Sequence, residues 1–138
     1  MAGWKLFLVV LPAFLLLDFV WLGVLMKNFY SAELGDLARR SGESLAPRWG
    51  AAILVYALIP AGLVAFVRPA MGADASVWRA AAWGAAYGLV AYGVYDLTNL
   101  AVLEKWTVRM TVIDLAWGCT ICGLCAGLMR GVERWLSP

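Results

Sequence analysis

The chain has 138 residues, of which 64% are hydrophobic and 14% are charged, and its mean hydropathy is +0.80. A soluble domain is about half apolar and a quarter charged, so this composition indicates an integral membrane protein, with residues 1–138 as a single domain. The net charge of +2 is small and dispersed, which excludes a typical nucleic-acid-binding surface. The sequence has no histidine, the residue that most often binds metals and haem, and we expect neither a metal nor a cofactor.

Four apolar runs are long enough to cross the hydrocarbon core as helices, which takes about 20 residues each. They cover residues 4–26, 49–67, 77–103 and 110–129. Residues 27–48 are polar, with Tyr30, Leu34 and Leu37 on one side, which predicts a short amphipathic helix on the membrane surface; an ordinary polar loop is the alternative. The predicted fold class is an all-α membrane protein with four transmembrane helices and a short amphipathic helix between helices 1 and 2.

Prolines and charged residues predict a kink, a helix end and a connecting turn in these spans. Pro60 lies in the middle of the second span and predicts a kink, and Arg68 with Pro69 is expected to end that span. The charged residues Glu104, Lys105 and Arg109 join the third and fourth spans, and we expect an ordinary solvated turn there. A lid is the alternative.

Small residues recur every four positions on the third and fourth spans. Gly84 and Gly88 form one such face, and Gly123, Gly127 and Gly131 form the other. Small-residue faces allow helix backbones to approach closely, so they predict tight packing, either within the chain or in a homodimer or larger membrane complex. The three cysteines lie in the same span as the second face, and we interpret them as small apolar packing residues; they are Cys119, Cys122 and Cys125.

Three aspartates lie inside the apolar runs. Asp18 is in the second half of the first span, Asp96 is in the second half of the third, and Asp114 is in the first half of the fourth. Because successive spans alternate in direction, all three acids are expected near the membrane face opposite the chain termini. A carboxylate near the centre of a transmembrane helix costs about 2.5–3.5 kcal/mol, so these acids need partners.

Aromatic and amide side chains surround the acids in the sequence. Trp21 follows Asp18 by three positions and Trp117 follows Asp114 by three, so each indole is expected beside the acid of its own helix. The predicted site is an acidic, aromatic-lined pocket inside the membrane for a ligand or a proton. Its residues are Asp18, Asp96, Asp114, Trp21, Trp117, Tyr92, Tyr95 and Asn99, with Tyr56 as a further wall. The alternative is that the acids only hydrogen-bond helices together.

The motifs that carry these residues resemble a family of small bacterial membrane proteins of unknown function. The matching residues are Asp18, Trp21 and Gly23; Phe29 and Tyr30; Val67, Arg68 and Pro69; Tyr95-Asp96-Leu97-Thr98-Asn99-Leu100; and Asp114, Trp117 and Gly118. The resemblance implies four helices and a bacterial inner membrane, and it implies no activity. Four spans place both termini on one side, which we expect to be the cytoplasm because few acids lie there.

Three functions are compatible with the sequence. The first is binding or transport of a small or lipid-like ligand in the acidic pocket, linked to protons. The second is a role as an accessory or structural subunit of a larger membrane complex. The third is a lipid-modifying enzyme or its partner, although the sequence has no histidine, nucleophile motif or nucleotide-binding loop.

Overall fold

The computed structural model describes residues 1–136, and five helices make up most of them. They are α1 (Gly3–Leu25), α2 (Lys27–Leu34), α3 (Trp49–Met71), α4 (Val77–Val102) and α5 (Val108–Leu136). α1 is α-helical over Gly3–Val20 and ends in a π-helical turn, Trp21–Leu25. α3 is α-helical over Trp49–Gly62 and Arg68–Met71, with a π-helical turn, Leu63–Val67, in between. Residues 137 and 138 of the predicted domain lie outside the described part.

Three of the helices, α1, α3 and α5, are both long and apolar enough to cross a membrane, as far as the described residues are concerned. The prediction of four transmembrane helices plus one short helix is therefore confirmed only in part. α4 has 26 residues, or roughly 39 Å of helix, but no stretch of it is as apolar as the spanning stretches of the other three. Its many glycines, alanines and tyrosines, together with Asp96 and Asn99, lower its hydropathy.

Two predicted helix ends were wrong by a turn or more. α3 runs through Arg68 and Pro69 to Met71, because the proline falls in the first turn of the α-helical segment that follows the π-helical turn. No backbone N–H is needed in a first helical turn, so proline is tolerated there. α5 extends to Leu136, beyond the predicted end at residue 129.

The region between α1 and α3 combines the predicted helix with a hairpin that the sequence did not predict. After α2 come a 3-10 turn, Gly35–Leu37, and the antiparallel strands β1 (Arg40–Ser41) and β2 (Ser44–Leu45). The Arg40 guanidinium donates hydrogen bonds to the carbonyl oxygens of Ser31 at 2.6 Å and Gly35 at 3.2 Å. Arginine thus satisfies carbonyl groups at the end of α2 and ties the hairpin to it.

The glycine faces of α4 and α5 pack against each other within the chain. A methyl group added at Gly88 would overlap the carbonyl oxygen of Gly118, and one added at Gly84 would overlap that of Cys122. Gly123 and Gly127 face the same helix, α4, whereas no described residue lies within 4 Å of a side chain placed at Gly131. The close backbone approach therefore joins two helices of one chain, and the buried thiols of Cys122 and Cys125 belong to that packed region.

The buried apolar side chains form two clusters. The larger cluster includes Leu6, Val10 and Phe14 of α1, Leu63 and Val67 of α3, and Ile121, Cys125 and Met129 of α5. The smaller cluster contains Tyr30, Trp106 and Met110. At the terminal end of the bundle, the Arg68 guanidinium binds the buried Glu133 carboxylate at 2.7 Å and the Met1 carbonyl oxygen at 2.6 Å, which ties α1, α3 and α5 together.

Candidate functional site

Asp18 is bound by donors from two other helices. It lies on α1 three residues before the π-helical turn begins, and its side chain is almost fully buried, with 4% of the residue exposed. The Tyr56 hydroxyl of α3 donates to Oδ2 at 2.8 Å, and the Trp117 indole N–H of α5 donates to Oδ1 at 2.9 Å. Both donors are neutral, so Asp18 is solvated by the protein without being paired with a cation.

Asp114 is bound by a tyrosine from outside the long helices. The Tyr30 hydroxyl of α2 donates to Oδ1 of Asp114 at 2.6 Å and accepts a hydrogen bond from the Trp21 indole N–H at 3.1 Å. Burial raises the pKa of Tyr30 well above its usual value, and the hydrogen bond to Asp114 raises that pKa further. Tyr30 therefore remains a protonated donor to Asp114 throughout the physiological pH range.

The two tryptophans connect these acids. The rings of Trp21 and Trp117 stack with their centroids 4.4 Å apart and their planes within 5°. Each indole was expected beside the acid of its own helix, but neither donates its N–H to that acid. The Trp21 N–H donates to Tyr30 of α2, and the Trp117 N–H donates to Asp18 of α1.

Asp96 lies behind Asp114. It is fully buried, and neither carboxylate oxygen has a hydrogen-bond donor among residues 1–136. Tyr92, one turn before Asp96, packs on Gly118, one turn after Asp114, so the two acids lie opposite each other where α4 meets α5. Asp96 is thus a buried acid that faces a second acid.

A cavity of about 630 Å³ opens beside Asp18 and Asp114. Its wall is formed by Phe14, Asp18, Leu22, Tyr30, Leu34, Leu45, Ala52, Val55, Tyr56, Leu58, Ile59, Ala91, Tyr92, Tyr95, Met110, Asp114 and Trp117. None of these lining residues is a lysine or an arginine. The cavity therefore combines a broad apolar and aromatic surface with two acids that have no cationic partner within residues 1–136.

The structure brings most of the predicted site residues together. Those that line the cavity are Asp18, Asp114, Trp117, Tyr92 and Tyr95. Trp21 lies behind the lining, stacked on Trp117, and Asp96 lies behind Asp114. Asn99 is not part of the lining; it lies beside Tyr95.

Tyr30 is the residue that the sequence analysis missed. The amphipathic pattern assigned it to the apolar side of a surface helix, whereas its hydroxyl reaches 84 positions along the chain to Asp114. The sequence did contain a signal. Tyr30 lies one turn beyond the end of a span that carries an acid, and it belongs to a motif shared with the family that the chain resembles.

α2 and the hairpin cover the end of the cavity and are held there by charged residues. Glu33 of α2 accepts a hydrogen bond from the Thr107 hydroxyl and lies 3.6 Å from the Arg109 guanidinium. Asp36 pairs with Lys105 at 3.0 Å, and the hydrogen bond and charge of Lys105 lower the pKa of Asp36. The turn before α5 and the first turn of α5 therefore bind the covering segment, a role that the sequence alone did not predict.

These features define a helical integral membrane protein with an acidic cavity between its helices. A family model described as predicted membrane protein (DUF2177) matches residues 3–130, so the chain belongs to this family, whose function is unknown, and the resemblance noted from the sequence is confirmed. No curated protein and no solved structure matches the chain.

Proposed function

We propose that the protein binds, or transports, a small or lipid-like ligand that has an apolar body and a positively charged head. The observation that carries the proposal is that the carboxylates of Asp18 and Asp114 open onto one cavity whose lining residues include no lysine or arginine. An ionised carboxylate in a medium of low dielectric constant needs compensation. Neutral donors supply part of it, and a cationic ligand supplies the rest.

The remaining lining supports the same ligand class. Tyr56, Tyr92, Tyr95 and Trp117 present aromatic rings, whose faces attract cations within about 6 Å. The other lining side chains are aliphatic, apart from Phe14 and Tyr30, and provide a surface for a hydrocarbon chain. A ligand with its cationic head between the two acids and its apolar part along α3 would satisfy both kinds of surface.

We also propose that α4 is the fourth transmembrane helix. It packs antiparallel against the spanning helix α5 from Val77, opposite Gly127, to Asp96, opposite Asp114. A helix that follows a spanning helix over this length crosses the same hydrocarbon layer. Both termini then lie on one side, which we assign to the cytoplasm of a bacterium, with the protein in the inner membrane. Reporter domains fused at the N-terminus and inserted at Gly42, the hairpin turn, would report opposite sides of the membrane.

We place the proposed site between the helices of one chain. The glycines that were candidates for a homodimer contact are engaged between α4 and α5, with Gly131 as the exception. All five helices and the hairpin contribute residues to the cavity lining.

The test uses two ions of the same shape and opposite charge. Purified protein in lipid nanodiscs is titrated with tetraphenylphosphonium and, separately, with tetraphenylborate, and the signal from empty nanodiscs is subtracted. The proposal predicts saturable binding of the cation alone. The variants Asp18→Asn and Asp114→Asn should each weaken it at least tenfold.

The matched control is Asp74→Asn, which makes the same chemical change at an exposed acid outside the cavity. It should bind the cation as the wild type does. Equal binding of both ions, or full affinity in the two cavity variants, would contradict the proposal.

A further inference from the structure

We infer that Asp96 and Asp114 hold one proton between them, and that this proton is released into the cavity when a cation binds beside Asp114. The inference rests on the proposed function and adds to it a proton site and the exchange of one cation for one proton. The observation behind it is that two buried acids lie opposite each other across the α4–α5 contact, and that Asp96 has no hydrogen-bonding partner among residues 1–136.

The geometry of Asp96 leaves few ways to satisfy its side chain. The residue is 0% exposed, and both carboxylate oxygens lack a donor among the described residues. A buried ionised carboxylate with no donor is strongly unfavourable. A proton placed between Asp96 and Asp114 removes this cost, because the protonated oxygen of one carboxyl group donates to the other.

Among the residues that the structure describes, the surroundings offer no cation that would stabilise both acids in the ionised form. The titratable neighbours are Tyr30, which donates to Asp114, and Asp18, Tyr92 and Tyr95, which line the same cavity as Asp114. On α3, Tyr56 faces Asp18. These groups are either neutral donors or a further acid, so two negative charges side by side would repel each other in a region of low dielectric constant.

Because the two acids differ in their access to the cavity, they have different roles in the exchange. Asp114 lines the cavity, whereas Asp96 does not. The proton therefore leaves through Asp114 to water in the cavity. Asp96 is the inner carboxyl group that shares the proton with Asp114 before the release. The exchange is balanced in charge: one positive charge enters as the ligand head, one leaves as the proton, and the pair becomes doubly ionised against the bound cation.

Tyr30 holds Asp114, the acid that lines the cavity, in place during this exchange. Its hydroxyl donates to Oδ1 of Asp114 and receives the Trp21 indole N–H. This leaves Oδ2 of Asp114 for Asp96 and for a ligand. A negative charge that develops on Asp114 is met by a donor already in position.

The experiment counts protons. Wild-type protein in nanodiscs, in a weakly buffered solution with a pH indicator, is mixed with saturating tetraphenylphosphonium. We expect about one proton released per cation bound, and a cation affinity that rises about tenfold per pH unit where the pair is protonated. The Asp96→Asn variant should release no proton, and its cation affinity should lose the dependence on pH. Asp74→Asn should behave as the wild type does.

A second measurement needs no ligand. The infrared spectrum of the ligand-free wild type should contain the C=O stretch of a protonated carboxyl group in an apolar environment, identified by its shift in D2O, and Asp96→Asn should lack it. If Asp96→Asn fails to fold, the infrared spectrum and the proton count of the wild type still test whether the two acids share a proton.

The outcomes separate the two proposals. Cation binding without proton release would overturn the shared proton and leave the ligand site intact. Absence of cation binding would overturn the ligand site, and the infrared spectrum would then decide the shared proton by itself. A wild-type spectrum with no protonated carboxyl band would overturn the inference in every case.

Discussion

The indole N–H of Trp117 donates to Oδ1 of Asp18 at 2.9 Å and joins residues 99 positions apart in the chain. This contact brings the end of α1 onto the first half of α5, and Tyr56 adds α3 to the same carboxylate. The acid of one helix is thus solvated by the aromatic donors of two others. The cavity beside it is therefore a tertiary feature that depends on all three helices.

The substitution Trp117→Phe tests this contact. It keeps an aromatic ring for the stack on Trp21 and removes the donor to Asp18. Hydrogen bonds to charged groups contribute about 1.5–3 kcal/mol, so we expect the free energy of unfolding to fall by about that amount, measured by titration with sodium dodecyl sulfate from a mild detergent. Trp78→Phe is the control, because Trp78 is 84% exposed, and it should change stability by less than about 0.5 kcal/mol.

The substitution Tyr30→Phe tests the attachment of α2 to the acidic site. It removes the donor to Asp114 and the acceptor of the Trp21 N–H, and we expect a loss of about 1–3 kcal/mol of unfolding free energy. Tyr87→Phe is the matched control, since the Tyr87 hydroxyl makes only a 3.4 Å contact with a backbone oxygen. Equal stability of the two variants would show that the bond to Asp114 contributes nothing.

The substitution Gly88→Ala tests the packing of α4 on α5. The added methyl group would overlap the carbonyl oxygen of Gly118, and forcing a group into a packed contact costs about 1–3 kcal/mol or more. Gly93→Ala makes the same change on the same helix where nothing lies within 4 Å, so it should leave stability unchanged or increase it. A Gly88→Ala variant as stable as Gly93→Ala would contradict the observed packing.

The apolar runs and the acids could be predicted from the sequence because they depend on length, hydropathy and helix direction. Alternation of the spans was enough to expect Asp18 and Asp114 at one depth, and they share one cavity. The partners of the acids could not be predicted, because they depend on tertiary contacts. The Trp117 indole reaches Asp18 from a different helix, and the hydroxyl of Tyr30 reaches Asp114 from a segment that the sequence pattern assigned to a surface helix.

The substitution Glu33→Gln tests how the covering segment is held. It removes the charge that pairs with Arg109 and weakens the acceptor of the Thr107 hydroxyl. Backbone amides of α2 should then exchange with solvent faster, by a few-fold, because the pair is partly exposed and contributes about 1 kcal/mol at most. Glu43→Gln is the control, since Glu43 is exposed and its carboxylate makes no ion pair within residues 1–136. Unchanged exchange in both variants would show that Glu33 does not hold α2.

The most direct test of the acidic cavity is labelling with dicyclohexylcarbodiimide, an apolar reagent that adds to protonated carboxyl groups and rearranges to a stable N-acylurea. Peptide mass mapping of the labelled protein in nanodiscs should find the adduct on Asp114, and tetraphenylphosphonium should suppress it. An adduct confined to exposed acids such as Asp36, or one on Asp114 that the cation leaves undiminished, would contradict a cation site at this acid.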